Sequence, residues 1–273
     1  MKLIRSPLFY AGVFVMTLIS CRKTSSNPEV SVNDIIETAP LVLTRDSSPI
    51  NSSLNGMYVT LPGHYTATTK EYPLLIFIHG AGQIGTSPGD LTLLTNDGVA
   101  QLISISKFPP NFNVNGKNFS FIILNPQFNK YPTSADIEDI IVYAKKTYRI
   151  DTSRIYLSGL SMGGIVTTQM GGDYTTQLAA IVPVSGVTDD TTVCRNIAAG
   201  DLPVWTFHNN EDPTIDVSVP TEFISLTNSF EPLVPPKLTV FNAAVHDAWT
   251  AALNPLYKEE NRNVYEWMLQ YSR

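Results

Sequence analysis

Ser161 is the residue of this chain best suited to nucleophilic chemistry. It lies at the centre of Gly159-Leu160-Ser161-Met162-Gly163, a match to the pattern G-x-S-x-G between an apolar run and a stretch that can begin a helix. In a strand-to-helix turn of this kind the serine backbone is strained, and only glycines leave enough room on either side. The turn would raise the hydroxyl above a sheet edge and direct the N–H of Met162 at a developing oxyanion. The motif therefore predicts acyl transfer with Ser161 as the nucleophile.

A serine nucleophile needs a general base, and the chain has four histidines. His246 lies in the loop segment VFNAAVHDAW, after the last predicted strand and ahead of a C-terminal helix, and is predicted to be the base. His64 lies in a Pro-Gly turn and is expected at the surface. His208 ends a predicted strand, where a purely structural role is the alternative.

The acid that orients the base is expected in the loop FHNNEDP, residues 207–213, at the carboxyl end of a strand. Asp212 is the predicted acid, with Glu211 as the first alternative and Asp216 as the second. The order Ser161, Asp212, His246 along the chain is that of α/β-hydrolases and differs from those of chymotrypsin and subtilisin. In this arrangement His246 takes and returns a proton while Asp212 fixes its tautomer.

A second oxyanion donor is expected in the loop His79-Gly80-Ala81-Gly82, which follows another apolar run. The N–H of Ala81 or Gly82 would complete the oxyanion hole with that of Met162. Three further residues are candidates for lining the substrate site: His79, Gln127 and Trp249. For each the alternative is structural, namely support of the loop for His79, a surface position for Gln127, and packing beneath the C-terminal helix for Trp249.

The elements that must position these residues are short apolar runs separated by stretches that can form helices. The residues at 74–78 form a continuous apolar run without alternation, which is typical of a strand buried on both faces of a parallel sheet. Further strands are predicted at 54–61, 119–124, 155–157, 178–184, 204–207 and 238–241. A helix is predicted over 135–148, with acidic residues in its first turn and basic residues in its last. Strands alternating with helices predict an α/β fold with a mostly parallel central sheet flanked by helices.

The composition is that of a globular protein that can build one large domain. The chain has 273 residues, of which 43% are hydrophobic and 15% charged. The net charge of −6 gives no reason to expect nucleic acid as a partner. No paired-cysteine spacing indicates zinc, and no metal or organic cofactor is expected. The sequence leaves the oligomeric state open.

The N-terminal segment is expected to be an address signal. Lys2 and Arg5 precede an apolar run of about a dozen residues, which is too short to span a bilayer as a helix. The run ends in Leu18-Ile19-Ser20-Cys21, which resembles the lipobox of bacterial lipoprotein precursors. The resemblance implies residues 1–20 as a signal peptide, acylation of Cys21, and an extracytoplasmic protein anchored in the bacterial cell envelope. A plain secretory signal is the alternative.

Residues 21–50 are predicted as a tether and N-terminal extension, and residues 51–273 as the catalytic domain. Residues 22–33 are polar and read as the flexible part of the tether. If Cys21 carries lipid, Cys194 has no partner for an intramolecular disulfide, and is expected to be a small buried or half-buried thiol.

Four segments together resemble a known group of α/β-hydrolases: HGAGQIG (79–85), DTSRIYLSGLSMGG (151–164), PVWTFHNNEDPTI (203–215) and HDAW with YEWML (246–269). The group is that of predicted peptidases and esterases, related to polyhydroxybutyrate-depolymerase-like and feruloyl or acetyl-xylan esterases. The resemblance implies Ser161, Asp212 and His246 as the triad. The chain departs from the family where Glu-Arg is often found, with Gln83-Ile84, and where Gly often follows the histidine of the acid loop, with Asn209.

Several functions compete at this stage. The favoured one is hydrolysis of carboxylic esters through an acyl-enzyme, with carbohydrate esters and polyesters as substrate classes. A serine peptidase of the same fold is one alternative, and a non-catalytic lipoprotein that binds glycans or a partner is another. Residues 80–85 also match G-x-G-x-x-G, the dinucleotide-binding fingerprint, but no acidic residue ends the following predicted strand, as that fingerprint requires.

Overall fold

The structure, a computed structural model, describes residues 35–273. The predicted signal peptide, Cys21 and the polar residues 22–33 lie outside the described residues. In the described part of the chain, no helix is both long and apolar enough to cross a membrane.

An eight-stranded sheet forms the centre of the fold, in the order β1-β2-β6-β3-β7-β8-β9-β10. The two strands at one edge, β1 and β2, run antiparallel to their neighbours, and the other six are mutually parallel. The strands of this sheet are β1 (Thr44–Asp46), β2 (Leu54–Thr60), β3 (Tyr72–Ile78), β6 (Ile122–Phe128), β7 (Ile150–Leu160), β8 (Ala180–Val184), β9 (Trp205–Asn209) and β10 (Lys237–Phe241). A separate hairpin comprises β4 (Phe112–Val114) and β5 (Lys117–Phe119).

Helices connect the strands. The α-helices are α1 (Gly98–Ser104), α2 (Ser134–Thr147), α3 (Met162–Asp173), α4 (Thr191–Ala199), α5 (Ser218–Asn228), α6 (Trp249–Ala252) and α7 (Val264–Met268). Short 3-10 helices occupy Tyr65–Ala67, Ala81–Gln83, Pro88–Thr95 and Thr175–Gln177.

Both faces of the sheet are covered, as the continuous apolar run of β3 predicts. Every residue of β3 is buried. Its alternate side chains enter two different clusters, with Leu74, Ile76 and Ile78 on one face and Leu75 and Phe77 on the other. A strand buried in this way has no polar face, which is why its sequence shows no alternation.

The helix predicted over 135–148 is present as α2. Thr133 caps it by accepting a hydrogen bond from the backbone N–H of Asp136, and the Asp136 carboxylate bonds back to Thr133. Its buried positions, Ile137, Ile140, Ile141 and Ala144, form the apolar stripe that the sequence predicts.

Three element boundaries differ from the sequence predictions. The run at 119–124 contains the end of the hairpin strand β5 and the start of β6, which continues to Phe128, so that Gln127 lies within a strand and not just past its end. His208 also lies inside a strand, β9. The strand β1 falls within residues 21–50, so ordered sheet structure begins ahead of the predicted domain boundary at residue 51.

The loops that carry the candidate site residues meet at the carboxyl ends of the parallel strands. The loops that follow β3, β7, β9 and β10 carry Gly80, Ser161, Asp212 and His246 respectively. Because parallel strands end at the same side of a sheet, these loops meet although they are far apart along the chain.

Candidate active site

Ser161 occupies a tight turn between β7 and α3. Its backbone has φ 52° and ψ −117°, a conformation that is strained for a residue with a side chain. The turn is fixed by a hydrogen bond of 2.8 Å from the Ser161 N–H to the carbonyl of Val184 in β8, and the Ser161 carbonyl accepts from the N–H of Gly164. The structure thus has the strand, turn and helix that G-x-S-x-G requires.

The two glycines of the motif are needed for space. A Cβ at Gly159 would collide with the carbonyl of Gly163, and a Cβ at Gly163 would collide with the carbonyl of Ile78 in β3. These neighbours are backbone atoms and cannot move aside as a flexible side chain would. The packing therefore leaves no room for a side chain at either position, as the motif predicts.

Ser161, His246 and Asp212 lie in one line of hydrogen bonds. His246 Nε2 is 2.8 Å from Ser161 Oγ, and His246 Nδ1 is 2.7 Å from Asp212 Oδ2. The carboxylate accepts only, so Nδ1 carries the proton of the neutral ring and Nε2 is free to accept from the serine hydroxyl. The structure therefore brings together the three residues that the sequence predicts as nucleophile, base and acid.

Asp212 is ionised, and it is the one buried residue in a loop, residues 210–216, that is otherwise largely exposed. Its side chain is fully buried, and burial works against ionisation. The hydrogen bond from His246 and those from the backbone N–H groups of Thr214 and Ile215 outweigh burial and hold the pKa of Asp212 below its ordinary value. An acid that stays charged can fix the tautomer of His246 and stabilise the imidazolium that forms when the base takes a proton.

The other candidate acids and bases are not members of the line of hydrogen bonds between Ser161, His246 and Asp212. Glu211 and Asp216 are exposed, and Asp216 binds the N–H of Ser218 at the start of α5. His64 is at the surface, as expected, where it pairs with Glu37. His208 is buried, and its Nε2 donates to the carbonyl of Ile215 at 2.8 Å. This second histidine therefore supports the acid loop from within β9.

The acid loop and the base loop are joined directly. Asn209, at the end of β9, is buried and donates from Nδ2 to the carbonyl of Val245 at 2.7 Å. On the other side of His246, the N–H of Ala248 donates to Ser185 Oγ. In the sequence, Asn209 stands out only as a departure from the family's glycine. The structure shows that this side chain holds the residue preceding His246.

The loop after β3 carries the second expected oxyanion donor. Gly80 packs against the elbow, since a Cβ there would meet the side chain of Leu160 and approach Cβ of Ser161. Ala81 and Gly82 begin a 3-10 turn in which Gln83 N–H bonds to the Gly80 carbonyl. The first N–H groups of a helical turn have no acceptor within it. Those of Ala81 and Gly82, and that of Met162 at the start of α3, therefore have no acceptor within their own helical turns.

His79 and Gln127 support this loop from inside the protein, which corrects the expectation that they contact substrate. His79 Nδ1 donates to the carbonyl of Gly80, and Nε2 accepts from the N–H of Phe128. Burial lowers the pKa of His79 to about 4, so the ring is neutral. Gln127 is fully buried and donates from Nε2 to the carbonyls of Gln83 and Asp90.

Gln83 is a positioning residue that sequence reasoning did not select. Its Oε1 accepts from the N–H of Gly80, and its Nε2 donates to the carbonyl of Leu93. A carboxylate could accept the first bond but could not donate the second, so the amide of a glutamine suits this position. The sequence offers one signal for this residue: Gln83 stands where the family often has the Glu of a Glu-Arg pair.

Trp249 lies beside the base. Its ring meets that of His246 edge-on with 5.4 Å between centroids, and its Nε1 donates to Asp97 at 3.1 Å. The side chain is half-buried. Trp249 therefore packs beside the imidazole and against the hydrophobic core on that face of the sheet, and its contact with substrate stays a prediction.

The described residues offer little to a metal or a dinucleotide. Within residues 35–273 no group of three or more His, Cys, Asp or Glu side chains is arranged to hold a metal ion. The segment at 80–85 forms a three-residue 3-10 turn against the serine elbow, whereas the dinucleotide fingerprint opens an α-helix. Cys194 is a free thiol, buried as expected, and burial raises its pKa.

Comparison with known proteins gives the family of this chain. A family model described as phospholipase/carboxylesterase matches residues 65–258. A bifunctional acetylxylan esterase/xylanase of Neocallimastix patriciarum is 26% identical over an alignment of 148 residues, which covers 51% of this chain and 22% of that protein. The chain thus spans about a fifth of the length of this curated relative.

Solved structures share the fold. A thermostable esterase superposes with a TM-score of 0.64 over 86% of this chain and 64% of its own, at 20% identity. The feruloyl esterase module from Clostridium thermocellum, in complex with sinapinate, gives a TM-score of 0.53 over 78% of this chain and 89% of its own, at 16% identity. The predicted fold class, an α/β-hydrolase fold with a mostly parallel sheet, is confirmed.

Proposed function

We propose that this chain, which belongs to the phospholipase/carboxylesterase family, hydrolyses carboxylic esters through Ser161, His246 and Asp212. The observation that carries the proposal is the continuous line of hydrogen bonds from the hydroxyl through the imidazole to the buried carboxylate, with lengths of 2.8 and 2.7 Å. This geometry supports the proposal, because acyl transfer requires a nucleophile, a base and an orienting acid in such a relation.

The reaction proceeds in two halves. His246 Nε2 takes the Ser161 proton as Oγ bonds to the ester carbonyl carbon, and the carbonyl electron pair moves onto its oxygen. The N–H groups of Met162 and of Ala81 or Gly82 stabilise that oxyanion, each being typically worth about 3 kcal/mol of barrier. As the oxyanion collapses, the ester C–O bond breaks and the leaving alcohol takes the proton from His246. Water then attacks the acyl-enzyme by the same steps, with His246 again as base.

Esters attached to carbohydrate are the substrate class we propose. The proposal is supported by the curated relative, which is named as an esterase of acetylxylan, and by the solved neighbour, which is named as a feruloyl esterase. Peptide hydrolysis is the less favoured reaction. We also propose that the protein works outside the cytoplasm, anchored to the bacterial cell envelope through lipid on Cys21.

The decisive variant is Ser161→Ala. Hydrolysis of p-nitrophenyl acetate and of acetylated xylan should fall by about four orders of magnitude or more, because the nucleophile is lost while the oxyanion donors remain. Covalent labelling by a fluorophosphonate probe should disappear as well. Ser229→Ala, which removes an exposed hydroxyl beyond α5, should keep both activity and labelling. Full esterase activity in Ser161→Ala, measured on folded protein, would contradict the proposal.

A further inference from the structure

The helix that follows the nucleophile is almost wholly buried except for one stripe. In α3 the positions that reach solvent are Ile165, Gln169 and Asp173, while the intervening residues are buried. Ser161, Ile165, Gln169 and Asp173 are spaced by four, so each neighbours the one before it on the helix surface, in a row that winds gradually round α3. The exposed stripe of α3 therefore begins next to Ser161 and continues towards the C-terminal end of the helix.

A groove lies along the far part of this stripe. Its volume is about 630 Å³. Gln169 and Asp173 contribute from α3, residues 131–134 from the loop that enters α2, and the remaining residues from the segment that follows β8 and from α4. These last are Thr188, Asp190, Thr192, Val193 and Asn196. Because α3 rises about 1.5 Å per residue, Gln169 lies about 12 Å and Asp173 about 18 Å along the helix from Ser161.

The lining is polar and several of its groups are already held in place. Asn196 Nδ2 donates to the carbonyl of Gly172, which fixes the plane of the amide. Asp190 Oδ1 accepts from the N–H groups of Thr192 and Val193. Polar groups that are ordered before a ligand arrives lose little conformational entropy when it binds.

The chemistry of the groove selects a neutral, hydroxyl-rich ligand. Hydroxyl, amide and carboxylate groups supply acceptors and donors along the groove, and Tyr131 adds an aromatic side chain that is 48% exposed. A sugar ring offers hydroxyl groups at its edge and apolar C–H groups on its face, and so matches both. Asp173 and Asp190 disfavour an anionic chain, and the lining contributed by residues 35–273 includes no lysine or arginine.

We propose that this groove, defined by Tyr131, Gln169, Asp173, Asp190 and Asn196, binds the sugar residues of a neutral glycan whose ester group lies at Ser161. The proposal rests on the proposed esterase function and adds the subsite that recognises the polymer. The glycan would run from the elbow along the exposed stripe of α3, a length that a chain of a few sugar residues spans. The ester itself would be positioned by the oxyanion hole, so small esters would not use the groove.

The first experiment compares two substrates. Tyr131→Ala, Gln169→Ala and the double variant are assayed on acetylated xylohexaose and on p-nitrophenyl acetate. For the double variant we expect KM for the oligosaccharide to rise about tenfold or more, the equivalent of about 1.4 kcal/mol, with kcat within twofold. Kinetics on p-nitrophenyl acetate should stay within twofold. Gln270→Ala, an exposed glutamine beyond α7, is the matched control and should change neither substrate.

The second experiment separates binding from catalysis. Unsubstituted xylohexaose is titrated into Ser161→Ala and into Ser161→Ala combined with Tyr131→Ala and Gln169→Ala, with oligogalacturonide as the anionic counterpart. We expect xylohexaose to bind the first protein at least tenfold more tightly than the second, and more tightly than oligogalacturonide. If xylohexaose binds in this way but the wild-type protein hydrolyses no ester, the proposed esterase function is overturned and the groove as a glycan-binding site is retained. Unchanged oligosaccharide KM and unchanged binding in the Tyr131 and Gln169 variants, with esterase activity intact, would overturn the groove.

Discussion

Two histidines at the same edge of the sheet have opposite properties because of what surrounds them. His246 is 19% exposed at its side chain and lies between a hydroxyl and a carboxylate, so it can exchange protons during a reaction. His79 is 1% exposed and is held between a backbone carbonyl and a backbone N–H. One imidazole lies where it can act as the proposed base, and the other keeps the loop after β3 against β6.

The neutral state of His79 makes stability depend on pH. Its pKa is about 4 in the folded protein, below the ordinary 6.5, so between these values the unfolded chain binds a proton that the folded protein does not. The contribution is therefore complete above about pH 6.5 and is lost as the pH falls towards 4, at about 1.4 kcal/mol per pH unit.

His79→Gln should remove this dependence, because glutamine can form hydrogen bonds but does not titrate. Between pH 7 and pH 5 we expect the wild-type protein to lose about 2 kcal/mol more unfolding free energy than the variant. Urea unfolding at the two pH values measures the difference. Equal losses in the two proteins would show that His79 is not the group responsible.

At this scale the sequence predicts the reacting groups better than their supports. That Ser161, Asp212 and His246 meet could be predicted, because each follows a strand and the three occur in a diagnostic order. The burial of His79 and Gln127 could not be predicted, because it depends on neighbours such as Phe128 and Asp90 that only the folded chain brings close. Asn209 and Gln83 were visible as departures from a family pattern, but their partners were not.

Among the elements, the loops after β9 and β10 act as one unit. Asn209 reaches from the end of β9 to Val245, and Asn210 accepts from the N–H of Ala243 and donates to Asn242. The position of His246 therefore depends on the acid loop beyond the single bond to Asp212.

Asn209→Ala should reduce kcat more than it changes KM. The substitution leaves the Val245 carbonyl without its donor, at a cost of about 1–3 kcal/mol, and allows the base loop to shift. We expect a fall in kcat of about tenfold on p-nitrophenyl acetate, with KM within twofold and a slower reaction with the fluorophosphonate probe. Asn228→Ala, at the exposed end of α5, serves as control. An unchanged kcat in folded Asn209→Ala would argue against this positioning role.

The elements that the sequence predicts are those with strong periodicity. The buried strands and α2 were found within a few residues because a continuous apolar run or a helical stripe with a cap leaves a clear pattern. The apolar run at 119–124 predicts one strand, but Phe119 lies in the separate hairpin and Ile122 lies in the central sheet. The strand β1 was missed because it is short and largely exposed at the sheet edge.

For the whole molecule, the α/β class follows from the alternation of elements, whereas the cellular location depends on residues outside the described part. The sequence alone carries the anchor prediction. Two or more acyl chains on Cys21 would hold the protein on a membrane, since each buried methylene contributes about 0.8 kcal/mol.

Cys21→Ser should release the protein from the membrane. In bacteria grown with an alkyne-bearing palmitate, we expect the wild-type chain to carry the label and sediment with membranes, and the variant to do neither. Cys194→Ala removes the other, buried cysteine and should retain label and location. A labelled Cys21→Ser protein would place the lipid elsewhere.

The backbone at residue 161 also bears on how this protein can change. With φ 52° the position would suit glycine, so the fold by itself would favour losing the hydroxyl there. Selecting variants for heat resistance alone would therefore tend to discard the hydroxyl that we propose as the nucleophile. Any improvement of this molecule must be screened for both properties together.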